Sequence, residues 1–169
     1  LSAAPLSRSL AQILGQTPAK LPADRSIYRL SGTVSVNGVP ASMRTRIAGT
    51  DTIETGRKSE VVFIESGNAF ILRESSEMQL GSQQENNIAI GLLRLVAGKV
   101  LAVFGPGVPR RISTVTATIG IRGTGVYAES DPEQTYLCTC YGTTDISANA
   151  DPNAKKSVQS KHHDEPVYI

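Results

Sequence analysis

Hydrophobic positions in the middle of this chain recur at every second residue in short runs, with turn-forming residues between the runs. That period of two is the signature of strands with one face buried. Ile27-Tyr28-Arg29-Leu30 leads into Gly32-Thr33-Val34-Ser35-Val36, and Asn37-Gly38 then marks a hairpin, because both residues tolerate positive φ. Met43 to Ile47 alternates Met, Arg, Thr, Arg and Ile, and Gly49 and Asp51 precede Thr52-Ile53-Glu54-Thr55-Gly56. Val61-Val62-Phe63-Ile64 and Ala69-Phe70-Ile71-Leu72 flank a turn at Glu65-Ser66-Gly67-Asn68. Met78 and Leu80 alternate with polar neighbours, and a polar loop runs from Gly81 to Asn87. Residues 88–97 tolerate a helix, but Gly91 and the short length favour strands, with a turn at Gly98-Lys99. Val100 to Phe104 forms a further strand, ended by Gly105-Pro106-Gly107. Ile112 to Ile121 carries the strongest strand pattern, and Thr135 to Tyr141 the last clear one.

Both ends of the chain differ from this middle. Within residues 1–25, Leu6, Leu10 and Ile13-Leu14 follow helical spacing, Ser7 or Ser9 offers a cap and Gly15 a stop, after which Pro18, Pro22 and Asp24 break regular structure. A short helix and an extended arm are expected there, docking on the domain itself or on a partner. Residues 148–169 read as a polar tail packed along the domain. The expected organisation is an arm over 1–25, a β domain over 26–147 and a tail over 148–169. The fold class is all-β: a sandwich, a roll or a short solenoid.

Composition narrows the function classes. The chain has 169 residues, 40% hydrophobic and 19% charged, which suits one globular domain. Its net charge of +2 carries no basic footprint for nucleic acid beyond Arg110-Arg111 and Arg122, so no nucleic-acid partner is expected. No run approaches the ~18 apolar residues of a membrane span. The chain opens on Leu1 rather than Met, and Leu1-Ser2-Ala3-Ala4-Pro5 has the small residues found near signal cleavage sites; a processed, exported protein or a trimmed one is expected.

Five pieces, in order, resemble the FecR domain family. They are Gly32 to Gly38; Ile47 to Ser59, similar to the family's Gly-x-x-Ile-x-Thr-Gly-x-x-Ser segment; Val61 to Leu80; Leu92 to Val100; and Ile112 to Thr124, ending in Arg122-Gly123-Thr124. The resemblance covers about residues 30–145. It implies an all-β module of the bacterial periplasm or exterior that binds or relays a signal. One branch of the family consists of membrane regulators that report iron uptake to a sigma factor, through an anti-sigma segment and a membrane helix; this sequence carries neither and is more like the free-standing members. An envelope or secreted protein partner is implied. The alternative is a structural subunit of a larger extracellular assembly, docking through residues 1–25. Gly49, Gly56, Gly98 and Gly123 are expected where the backbone excludes a Cβ, and Asp51 where a turn needs an acceptor. Arg122 is expected to tie loops together, its sharper reading being a ligand contact.

No catalytic signature is present: no Gly-x-Ser-x-Gly elbow, no phosphate loop, no Cys-x-x-Cys-His. Gly120 to Gly125 is glycine-rich but wrongly spaced for a dinucleotide fingerprint. Glu129, Asp131 and Glu133 around Pro132 read as a solvated turn. A non-enzyme is expected. One constellation carries chemistry. Cys138 and Cys140 share a strand face, and with His162 or His163 they form a candidate site for zinc, copper or iron, with Asp164 behind an imidazole. Two other readings stand: thiols packed in the core, and a disulfide, which two extended residues that close would strain.

Overall fold

The computed structural model describes residues 21–22, 24–163 and 166–169. The helix expected within residues 1–25 lies outside them. Among the described residues the chain is all-β, as its alternation implies. The strands are β1 (Ile27–Ser31), β2 (Val34–Val36), β3 (Val39–Pro40), β4 (Thr52–Thr55), β5 (Glu60–Glu65), β6 (Asn68–Leu72) and β7 (Glu77–Glu85). They continue as β8 (Ile88–Val103), β9 (Arg110–Ser113), β10 (Ala117–Ser130), β11 (Thr135–Ala148), β12 (Lys155–Ser160) and β13 (Pro166–Tyr168).

Two-residue turns set the hairpins. Asn37-Gly38 joins β2 to β3, Ser66-Gly67 joins β5 to β6, and Asn86-Asn87 joins β7 to β8; all six residues have positive φ. That is the turn geometry whose twist matches the flanking strands. Asp51 accepts hydrogen bonds from the Ala48 N–H at 2.7 Å and the Asn37 amide at 2.8 Å, so it braces the entry to β4.

Three long strands organise the sheet. The first part of β8 lies between β7 and β9, the latter a parallel neighbour, and its last four residues lie between β6 and β10. Strand β10 pairs first with β9 and then with β8, and lies along β11 throughout. The main path runs β12-β11-β10-β9-β8-β7-β4-β2-β3, while β1, β5 and β6 branch from β8 and β13 from β11.

Each long strand changes which residues face inward part-way along. In β8 the buried side chains are Leu93 and Leu95, then Val100 and Ala102; in β10 they are Ile119 and Ile121, then Val126 and Ala128; in β11 they are Leu137 and Thr139, then Thr144 and Ile146. Odd positions give way to even ones because a bulge adds one residue and slips the alternation. The pairing shows the irregularity at Glu77/Met78 opposite β8, and between Arg122 and Val126 on β10. Glycine meets the backbone demand at two of these places. Gly98 has φ +90°, and a Cβ there would lie 2.5 Å from the Ser76 Cα; Gly123 has φ +56°. Side chains from both parts of the sheet, including Ile53, Met78, Leu95, Phe63, Phe70 and Ile119, form one continuous core.

Several expectations need correction. The chain does not turn at Gly98-Lys99; β8 runs through it as a bulged strand, and the Lys99 N–H is held by the Ser76 hydroxyl at 2.9 Å. Residues 112–121 are not one strand, because Thr114 bonds to Ala117 through both backbone and side chain and turns the chain between β9 and β10. Residues 43–47 form no strand: Ser42 and Thr45 close a local turn, and the Ser26 hydroxyl takes the Ile47 N–H at 3.0 Å. Gly49 and Gly56 have φ outside the left-handed region. The stretch read as a polar tail contributes two strands, β12 and β13, and Ile169 exchanges backbone hydrogen bonds with Thr135.

Candidate metal centre

The cysteines lie on β11 where its pairing with β10 is irregular. Thr139 pairs with Val126 and Tyr141 with Gly125, so Cys140 is the extra residue of a bulge. Leu137 points into the core, and Cys138 therefore points to the opposite face, beside its cross-strand partner Tyr127. Neither cysteine belongs to the continuous core, yet both are buried. Their cover is the C-terminal crossover. Strand β12 pairs with β11 from Gly142 to Ser147, and β13 pairs with it from Tyr136 to Cys138, on the edge away from β10. His163, just past β12, reaches the cysteines, and its N–H bonds the Cys140 carbonyl at 3.1 Å. His163 has φ +50°, a left-handed turn that histidine enters more readily than most residues.

That turn sets the His163 Nδ1 3.3 Å from the Cys138 Sγ. The donor atoms of Cys138, Cys140 and His163 all lie within 4.8 Å of one another. Of the four expected ligands, the structure brings these three together. His162 is exposed and outside the group, because its neighbour occupies the place opposite Cys140. Asp164 lies outside the described residues. Both thiols are free, and the Cys140 Sγ contacts the Cys138 carbonyl at 3.9 Å.

The surroundings favour neutral groups. Burial pushes the Cys138 thiol above its ordinary range. Cys140 is pushed up to about 12, first by burial and then by Cys138 beside it. Tyr136 is raised by burial and by Cys138, and Tyr127 is raised by burial and by its 2.6 Å hydrogen bond to Glu129. An anion is thus disfavoured here unless a cation arrives with it. Tyrosines extend the same face: Tyr127 meets Tyr136 at 6.1 Å and Tyr136 meets Tyr168 at 5.1 Å, both edge-on. Nothing in the one-dimensional pattern announces this row, which comes from three strands.

Other candidates resolve differently. Asp131 accepts from the Glu133 and Gln134 N–H groups, making the acidic stretch a closed turn. Arg122 pairs with Asp145 on the adjacent strand at 3.0 Å and is largely exposed, while Arg111 pairs with Glu85 at 2.9 Å. Arg110 donates to the Val108 carbonyl at the rim of a cleft of about 450 Å³ floored by Phe70, Leu93 and Phe104. No helix among the described residues is long and apolar enough to cross a membrane.

No protein-family model and no curated protein matches this chain. Two crystal structures of a candidate anti-sigma factor from Parabacteroides distasonis share its fold. One, at 2.50 Å resolution, is 13% identical with a TM-score of 0.54. The other, at 1.65 Å, is 12% identical with a TM-score of 0.55. Each match covers 70% of this chain and 58% of the other, so the chain spans well under two thirds of those proteins. At this identity the likeness is one of fold.

Proposed function

We propose that this chain is a non-catalytic, FecR-like module of the bacterial envelope that relays a signal by binding another protein. The observation that carries this reading is the shared fold with candidate anti-sigma factors over 70% of the chain. The five FecR-like segments, running in order through residues 30–145, add to it. An all-β scaffold with a single continuous core holds its surface rigidly, which suits recognition of a protein.

The test is transcript profiling of the source organism with and without the chain. A relay protein alters a confined set of genes, and re-expression restores them. Unchanged transcription overturns the reading; if the chain then also copurifies in a complex of constant stoichiometry, it is a structural subunit instead.

A further inference from the structure

We infer that Cys138, Cys140 and His163 bind one thiophilic d10 cation, zinc(II) or copper(I), which pins the C-terminal crossover to β11. This goes beyond the signalling reading and does not depend on it.

Two thiols and an imidazole are the groups that soft and borderline cations select. They converge although 25 residues separate Cys138 from His163. Zinc bonds of about 2.3 Å to sulfur and 2.0–2.1 Å to nitrogen place tetrahedral donors roughly 3.5–3.8 Å apart. The Cys138 Sγ and His163 Nδ1 are already 3.3 Å apart, and no pair of the three donors exceeds 4.8 Å, so rotamer adjustment of the thiols suffices to close the shell.

The backbone holds this arrangement. Cys138 is anchored by pairing with Tyr127 on one side and Pro166 on the other. Cys140 sits at the bulge with its sulfur within 4.8 Å of the Cys138 sulfur, and the hydrogen bond from the His163 N–H to the Cys140 carbonyl fixes the ring's approach. Access is also present. The cysteines are buried while His163 is exposed, so the site opens on the imidazole side. A cation enters there, and a water can complete a four-coordinate zinc. Each thiol gives its proton to solvent as its sulfur bonds the metal.

The consequence is mechanical. Among the described residues three pairs tie β13 to β11, with the Thr135–Ile169 hydrogen bonds beyond them, and the His163 turn is held to β11 by its hydrogen bond to the Cys140 carbonyl. A metal bonded to both β11 and the crossover joins them and holds the last strand in place.

The experiment uses the full chain, purified without a histidine tag under reducing conditions and stripped of metal. Zinc(II) and copper(I) are titrated separately against a competing chelator, with metal content by mass spectrometry and cobalt(II) as a thiolate-sensitive spectroscopic probe of the zinc arm. One equivalent per chain is expected from at least one cation, and the arm with tighter binding names it. Cys138→Ser and Cys140→Ser should each weaken binding at least 100-fold, and His163→Ala roughly 10–100-fold, by analogy with the cost of disturbing a metal's immediate surroundings. His162→Ala should bind like the parent. Because His163 is exposed, its variant tests the site without endangering the fold. Metal should also slow proteolysis of the C-terminus. Absence of binding, binding that survives both cysteine variants, or a mass two hydrogens lower with no metal uptake overturns the proposal.

Discussion

The two faces of β11 show two kinds of burial. Inward, Leu137 and Ile146 sit in the continuous core, and Thr139 and Thr144 share a 2.7 Å hydrogen bond beside it. Outward, Cys138 and Cys140 are 7% exposed, the same as Phe104 in the core, yet they belong to no apolar cluster. The inner face is buried by other hydrophobic strands, so volume and shape decide what fits. The outer face is covered by a polar C-terminal segment that brings Tyr168 and a histidine. Equal burial therefore reports packing on one side and convergent donor chemistry on the other.

The largest effect expected is on the inner side. Phe63 is fully buried and stacks on Phe70 at 5.0 Å. Phe63→Ala should remove about 3–5 kcal/mol in a guanidinium unfolding curve. A loss like that of a surface residue would mean that the core does not run through β5. Thr139→Val should come next, at about 1–3 kcal/mol, because it strands the Thr144 hydroxyl. The double change with Thr144→Val should recover much of that loss; a double variant that simply adds the two losses would dissolve the supposed pairing.

The outer face should respond to pH in the metal-free protein. The folded chain keeps the Cys140 proton up to about 12, whereas an ordinary thiol loses it near 9. A raised thiol contributes stability that is intact below about 9 and lost as pH climbs from 9 to 12. Urea midpoints across that interval should fall, and Cys140→Ser should flatten the fall. The smallest effect belongs to the rim of this face. Tyr168 is 64% exposed and meets Tyr136 edge-on, so Tyr168→Ala should cost about 0.5–1.5 kcal/mol. If it costs as much as Phe63→Ala, the tyrosine row is part of the core and the contrast between the faces fails.

Much of the fold was legible because strand alternation and two-residue turns are local. Val61 and Phe63, Phe70 and Leu72, and the Asn37-Gly38 turn all obey rules that span a few residues. The errors fall where a distant partner intervenes. Ile112 to Ile121 reads as one strand, but Thr114, bonded to Thr135 on β11 at 2.7 Å, also bonds Ala117 and turns the chain. Gly98 looks like a turn residue, but Ser76, brought across the sheet, makes it a bulge.

The cysteine pair and its histidine could be named from residue types alone, and their shared face from the two-residue spacing. Which histidine completes the group could not. On an extended strand His162 and His163 point opposite ways, so the choice rests on how the crossover is hung between β12 and β13. The amino-acid order determined the all-β class and the donor chemistry, because both depend on neighbours in the chain. The bulge at Cys140, the row of tyrosines and the arrival of His163 opposite the thiols were decided by strand register, which is set only when segments far apart in sequence pair and bury one another.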